Sequence, residues 1–263
     1  MRVGIIGAGA TGLAAAYDLA GQGHQEAVYE RTPFLGGHAS TFVVGGARLE
    51  RGYHHWFTGD TDIVELVEQI GLGETIRWFD STVGTLHGGV IYDFVTPLDL
   101  LKFKPLGLGD RIRLGLTTLY LQRQKNWHKY EGVTANEWLR KHAGRAPYEV
   151  FWGPMLRGKF GEFYDKIGMT WIWNKVTLRV ASRKGAGQVE HLGYPMGSFG
   201  EVIEVLAERV AQQGGVVHTS ASVTQIIEAD GSTTAMDVKL EGGETERREY
   251  DAIIATTPSY VFT

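Results

Sequence analysis

The feature that most constrains this chain is the run Gly7-Ala8-Gly9-Ala10-Thr11-Gly12, set between a short apolar stretch (Arg2–Ile6) and a run of small residues (Leu13–Ala20). In order, residues 1–40 predict a strand, a glycine-punctuated turn, a helix, a second strand (Gln25–Tyr29) and then an acid, Glu30. Each glycine has its own physical task. Gly7 lets the chain turn tightly off the strand, Gly9 carries no side chain to keep a pyrophosphate from the backbone, and Gly12 lets the helix approach the strand. The helix N-terminus, with Ala10 and Thr11, then directs N–H groups and a positive partial charge at the phosphates. Glu30 follows Gly7 by 23 positions, near the ~20-residue spacing at which an acid bonds a ribose hydroxyl. Arg31, beside it, joins the candidate set. An ordinary βαβ turn with an exposed glutamate explains neither the spacing nor the acid.

Leu35-Gly36-Gly37-His38-Ala39-Ser40-Thr41 follows closely. A second glycine pair brings another stretch of backbone to the same cofactor, so Gly36, Gly37, His38, Ala39 and Ser40 extend the cofactor site. With these residues in hand, the chain resembles the FAD-dependent amine oxidases, protoporphyrinogen oxidases and phytoene-desaturase-like enzymes. The signature reads Gly7, Gly9, Gly12, Glu30, Gly36, Gly37. A plain NAD enzyme does not need the Gly-Gly extension, so the cofactor expected is FAD. Two departures accompany the likeness. Phe34 and His38 stand where the family often carries arginines, which leaves more of the pyrophosphate to backbone N–H groups and the helix dipole.

Composition narrows the classes. The chain has 263 residues, long enough for two domains, and 43% hydrophobic residues, ample for a core. The 36 glycines fall at turns rather than in repeats. A net charge of −4 without a basic block argues against nucleic acid as a partner. The absence of cysteine removes disulfides, thiol nucleophiles and cysteine-ligated metal, and suits a reducing compartment. The apolar start is not a signal peptide, because its glycine pattern replaces a cleavage site. A cytoplasmic location is expected.

Further along, Phe42–Leu49 predicts a hairpin turning at Gly45-Gly46. Glu50-Arg51-Gly52-Tyr53-His54-His55-Trp56-Phe57 then resembles the family's return toward the flavin ring. Glu50, His54 and His55 are the candidates there for a flavin or substrate pocket. Adjacent histidines on an extended chain face opposite ways, so no metal site is expected, and packing against aromatic neighbours is an equal reading for both. Residues 60–72 are helically amphipathic, and 81–94 predict a hairpin turning at His87-Gly88-Gly89. After Pro97 helical patterns take over: 110–124, 134–142 behind a capping box of Thr134 and Glu137, 148–156 and 167–180. Aromatic residues crowd this region, as a core or as an apolar substrate cavity. Arg157-Gly158-Lys159-Phe160-Gly161 resembles a segment of the protoporphyrinogen-oxidase-like branch. The stretch Lys102–Leu108 and the apolar helix after it suggest peripheral contact with a membrane surface.

From Gly193 a helix with Val202, Ile203, Val205, Leu206 and Val210 on one face precedes a strand (216–219). Stretches 222–227, 235–240 and 247–250, which read as an antiparallel meander, and a buried-type strand ending at Thr256 follow. The resemblance implies an α/β fold: a Rossmann-type FAD-binding domain with parallel strand order 3-2-1-4, an antiparallel β-meander between the third and fourth strands, and an inserted, mainly helical substrate domain. It implies adenine contact through the backbone of Val223 and a cofactor role at Thr256. The expected division is 1–75 and 193–263 for FAD binding and 76–192 for the partial substrate domain. Because relatives continue well beyond Thr263, the chain reads as the N-terminal portion of a larger enzyme, lacking the C-terminal part of the fold. The activity implied is hydride transfer from an apolar or amine-type organic substrate to flavin N5. Two other classes fit the fold: a redox-neutral isomerase of the UDP-galactopyranose mutase kind, and a non-catalytic binding module like the GDP-dissociation inhibitors.

Overall fold

A computed structural model describes residues 1–181, 189–229, 232–258 and 261. The parts of the expected 76–192 and 193–263 segments that fall on the remaining residues lie outside this description. The chain divides into two compact units, one of Met1–His55, Thr61–Arg77 and Tyr194–Thr263, the other of Trp56–Asp60 and Trp78–Gly193.

The first unit is built on a parallel sheet. Its elements in chain order are β1 (Arg2–Ile6), α1 (Ala10–Gly21), β2 (Gln25–Tyr29), β3 (Thr41–Val44), β4 (Ala47–Glu50), α2 (Thr61–Gln69), α3 (Ser198–Gln212), β5 (Val216–His218), β6 (Ser222–Ala229), β7 (Ser232–Lys239), β8 (Thr245–Glu249) and β9 (Ala252–Ala255). The sheet order is β5-β2-β1-β9, which is the expected 3-2-1-4. All three pairings are parallel, with Val3 opposite both Glu26 and Ala252 and Ala27 opposite Val216. β6, β7 and β8 form the antiparallel meander. Its strands start up to three residues before the stretches the sequence suggests, because cross-strand pairing extends them past their apolar centres. β3 and β4 form the hairpin that turns at Gly45-Gly46.

The interior of this unit follows from the apolar runs. Ile5, Val28, Leu13 and Ala16 are fully buried where β1, β2 and α1 meet; burying each large aliphatic side chain contributes about 1.5–3 kcal/mol. α3 packs against α1, burying Phe199, Val202, Ile203, Leu206 and Val210. A second cluster joins Ile6 and Tyr29 of the sheet to Ala221, Met236 and Val238 of the meander.

The second unit is mainly helical, with helices at Pro97–Lys102, Leu108–Arg123, Ala135–His142, Gly153–Phe160 and Met169–Ala181. They enclose a core that includes Phe103, Leu114, Leu121, Leu139, Tyr148, Leu156 and Met169. The hairpin of Gly84–His87 and Val90–Asp93 turns at Gly88-Gly89, as expected. Two local features differ from the sequence reading. The complete capping box is at Thr96 and Asp99. At Thr134 the hydroxyl accepts the Glu137 N–H but also approaches the Glu137 carboxylate at 3.0 Å, so the pair is not reciprocal through the backbone. Residues Tyr148–Trp152 form a wider π-helical turn before the α-helix resumes at Gly153. No helix among the described residues is long and apolar enough to cross a membrane.

Candidate functional site

The candidate site forms where β1 ends. Gly7 has φ of +101°, a conformation that side-chain-bearing residues rarely adopt, and its N–H donates to the Tyr29 carbonyl at 2.9 Å. Gly9 is the N-cap of α1 and no side chain caps that terminus. A Cβ at Gly9 would meet nothing within 4 Å, so open space faces this backbone. A Cβ at Gly12 would run into the Gly7 carbonyl oxygen, which explains the third glycine.

The second glycine pair locks onto the first. The Gly36 N–H donates to the Ala8 carbonyl at 2.9 Å, and Gly9 and Gly36 form a parallel bridge. Gly36 and Gly37 both have positive φ, 100° and 53°. Gly37 opens a short 3-10 turn, Gly37–Ala39, that carries His38. Ser40, which follows, is 2% exposed, and its hydroxyl has no hydrogen-bond partner. A buried hydroxyl left unpaired is unfavourable and calls for a partner.

Glu30 closes the cradle. Its carboxylate accepts the Ala8 N–H at 3.1 Å and the Thr32 N–H at 2.9 Å, and the Thr32 hydroxyl lies 2.8 Å from both Glu30 Oε1 and the Phe34 carbonyl. Each carboxylate oxygen can still accept from a further donor. Arg31 is exposed beside it. The Glu30 N–H donates to the His218 carbonyl and the Glu30 carbonyl accepts from Ala221, so the entry to the meander is tied to this acid. Val223 lies on β6 opposite Val238, next to a register shift before Gln225.

An uncapped helix N-terminus, an open glycine, a fixed carboxylate acceptor and an orphaned hydroxyl fit an anionic dinucleotide. The helix end and N–H groups suit phosphates, and the carboxylate suits ribose hydroxyls.

Thr256 stands beside the glycine turn. Its hydroxyl lies 2.9 Å from the Ile6 carbonyl and 3.2 Å from the Gly7 carbonyl, so it braces the glycine turn from β9. Glu50, His54 and His55 each have their own neighbours. Glu50 Oε1 accepts the Tyr194 hydroxyl at 2.8 Å and the Phe199 N–H at 3.1 Å, which makes it the acid at the start of α3. Burial, reinforced by Glu50, pushes the Tyr194 hydroxyl up to about 12. His54 lies 2.7 Å from the Gly52 carbonyl, with its ring against Phe199, and His55 stacks on Tyr53. The sequence reading missed Thr32 and Tyr194. A threonine two residues after a strand-end acid is a recognisable local turn signal; Tyr194 meets Glu50 only through the fold.

In the helical unit, Ile112, Leu116, Tyr120, Trp138 and His142 line a groove of about 400 Å³. Trp138 and His142 stack at 4.3 Å, and burial holds the His142 imidazole below its ordinary range, helped by Lys141 and Arg113.

The family model for flavin-containing amine oxidoreductases matches residues 10–263. The chain is 26% identical over 280 residues to a 15-cis-phytoene desaturase of Synechococcus elongatus, covering 98% of this chain and 58% of that protein. It is 25% identical over 301 residues to the coproporphyrinogen III oxidase of Staphylococcus aureus, covering 99% and 61%. A solved oxidoreductase from Methanosarcina mazei superposes with a TM-score of 0.68 at 20% identity, covering 97% of this chain and 58% of that one. The chain therefore spans about three fifths of the length of these relatives.

Proposed function

The chain belongs to the flavin-containing amine oxidoreductases, a family of FAD-dependent oxidoreductases, and from that premise we propose that its first unit holds the ADP half of FAD and its helical unit serves the substrate. The observation that carries this reading is the interlocked pair of glycine turns, Gly9 bridged to Gly36, beside the Glu30 carboxylate. Bound flavin would supply a two-electron acceptor, taking a hydride at N5 from an apolar or amine-type organic substrate.

The protein's own residues bind and orient. The N–H groups at the start of α1 and of Gly37 receive the diphosphate, Glu30 receives the ribose hydroxyls, and Thr256 keeps the Gly7 turn in shape. The backbone near Val223 meets the adenine. Glu50, His54 and His55 hold the chain entering the flavin side, with Glu50 acting through α3. The apolar lining of the groove at Ile112, Leu116, Tyr120 and Trp138 supports a substrate with little charge. Exposed Leu98, Leu101 and Leu108, with Lys102 and Lys104 in the same stretch, support peripheral contact with an anionic membrane surface.

The test is direct. The purified chain titrated with FAD is expected to acquire an absorption band near ~450 nm that survives desalting. Glu30→Ala, or Gly9→Val to fill the open space, is expected to abolish retention. A chain that ignores FAD counts against the reading. A longer form that binds FAD but never bleaches it with any organic donor counts against the oxidoreductase assignment.

A further inference from the structure

The diphosphate of a dinucleotide carries two negative charges, yet the donors shown at the two glycine turns themselves are backbone N–H groups, and Arg31 stands beside Glu30 rather than at those turns. Phe34 precedes the Gly36–Gly37 turn, and His38 follows it. A cation is nevertheless delivered to this turn from elsewhere in the chain. The Arg51 guanidinium lies 4.7 Å from the centre of the Phe34 ring and 5.9 Å from that of Phe42. Its backbone is fixed as well, since the Arg51 N–H donates to the Ser40 carbonyl at 3.0 Å.

Glu50 sends its carboxylate to Tyr194 and the Phe199 N–H at the start of α3. The Arg51 side chain, at the bend that follows β4, meets instead the rings of Phe34 and Phe42. Phe34 is itself anchored, because its carbonyl lies 2.8 Å from the Thr32 hydroxyl, which also meets Glu30. Arg51, Phe34, Thr32 and Glu30 thus form a continuous chain of contacts along one side of the cradle. Among the described residues no carboxylate lies within ion-pairing distance of Arg51, and its side chain is exposed. Its charge remains available to an anion. Two aromatic faces restrict the guanidinium's freedom while leaving its N–H edge available.

We propose that Arg51 is the cation of the diphosphate site, carried by the Phe34 and Phe42 rings to the Gly36–Gly37 turn. This rests on the dinucleotide reading of the cradle. The planar fork suits phosphate oxygens, and charge-assisted hydrogen bonds of this kind are the strong ones.

The experiment compares wild type, Arg51→Gln and Arg51→Lys by titration with FAD, ADP and adenosine at low and moderate salt. Arg51→Gln is expected to weaken FAD and ADP about tenfold, as loss of one charge-assisted bond does, to leave adenosine unchanged, and to flatten the salt dependence of ADP binding. Arg51→Lys is expected to retain the salt dependence with part of the affinity. Equal ADP affinity and salt dependence in wild type and Arg51→Gln would overturn the assignment. Parallel loss of adenosine binding would also overturn it, since that marks a structural role. A wild-type chain that binds neither FAD nor ADP would remove the dinucleotide reading itself, and this assignment with it.

Discussion

Glu26 shows how much a single residue can cost this fold. It lies on β2 opposite Val3, is 4% exposed, and neither carboxylate oxygen has a hydrogen-bond partner. Val210 and Gly215 come close to the same position. Burial raises its pKa, opposed by its own backbone N–H, His24 and the N-terminus. The sign of the linkage follows. A carboxyl whose folded pKa is above its unfolded value of about 4.3 binds its proton more tightly when folded. Its contribution to stability is complete below the unfolded pKa and is lost as pH rises through the folded one. Glu26→Met, which keeps the length and removes the buried acid, is therefore expected to raise the melting temperature at pH 7.5 by about 2–4 °C, corresponding to roughly 1 kcal/mol in a chain of this size. The gain should shrink at pH 4.5. Melting curves at the two pH values check this; a variant that melts lower at both would show that the acid has a partner worth keeping. In sequence, a glutamate inside a strand reads as a solvent-facing position, so its burial was not legible.

At the level of elements, what was legible was local. Gly7, Gly12, Gly36 and the hairpin glycines answer to backbone conformation or close approach within a few residues, and the sequence states those needs directly. What was hidden depends on partners far apart. Glu50 meets Tyr194 across 144 positions and the Phe199 N–H across 149, and Arg51 finds Phe34 only once the β3–β4 hairpin has folded back. Glu50 therefore reads from sequence as a pocket acid, and the structure adds that it caps α3, whose N-cap residue Gly197 has no side chain to do so. An acid at a helix N-terminus adds favourable charge–dipole interaction to the hydrogen bond. Glu50→Ala leaves one N–H and one hydroxyl without an acceptor and is expected to destabilise the first unit by about 1–3 kcal/mol. Glu50→Gln keeps an acceptor and should lose less than half of that. Because Tyr194 acts through the same oxygen, Tyr194→Phe combined with Glu50→Ala should cost less than the sum of the two. Denaturant melts of wild type, the three single variants and the double variant test the cap, and strict additivity would argue against it.

At the scale of the whole molecule, the parallel order β5-β2-β1-β9 was legible through the family resemblance that the two glycine motifs and Glu30 carry, since that resemblance implied the order of the sheet. The helical unit had no such motif. Its pattern disclosed helices and aromatic residues but not which faces would stay exposed, since that depends on which apolar residues the core of Phe103, Leu114, Leu139 and Tyr148 takes up. Two units with separate cores predict two separate ligand footprints. ADP at a hundredfold excess over its dissociation constant stabilises whatever it binds by about 2.7 kcal/mol. Hydrogen exchange should slow in the segments that build the cradle, residues 5–13 and 30–40, and at the entry to the meander, residues 218–224. A long-chain alkyl amine or a polyene should instead protect residues 108–142, where Ile112, Leu116, Tyr120 and Trp138 line the groove. Protection by ADP confined to the helical unit would relocate the nucleotide site altogether. Protection by the apolar ligand in the cradle would mean that the open space over Gly9 accepts hydrocarbon, which an uncapped helix terminus and a fixed carboxylate are poorly suited to do.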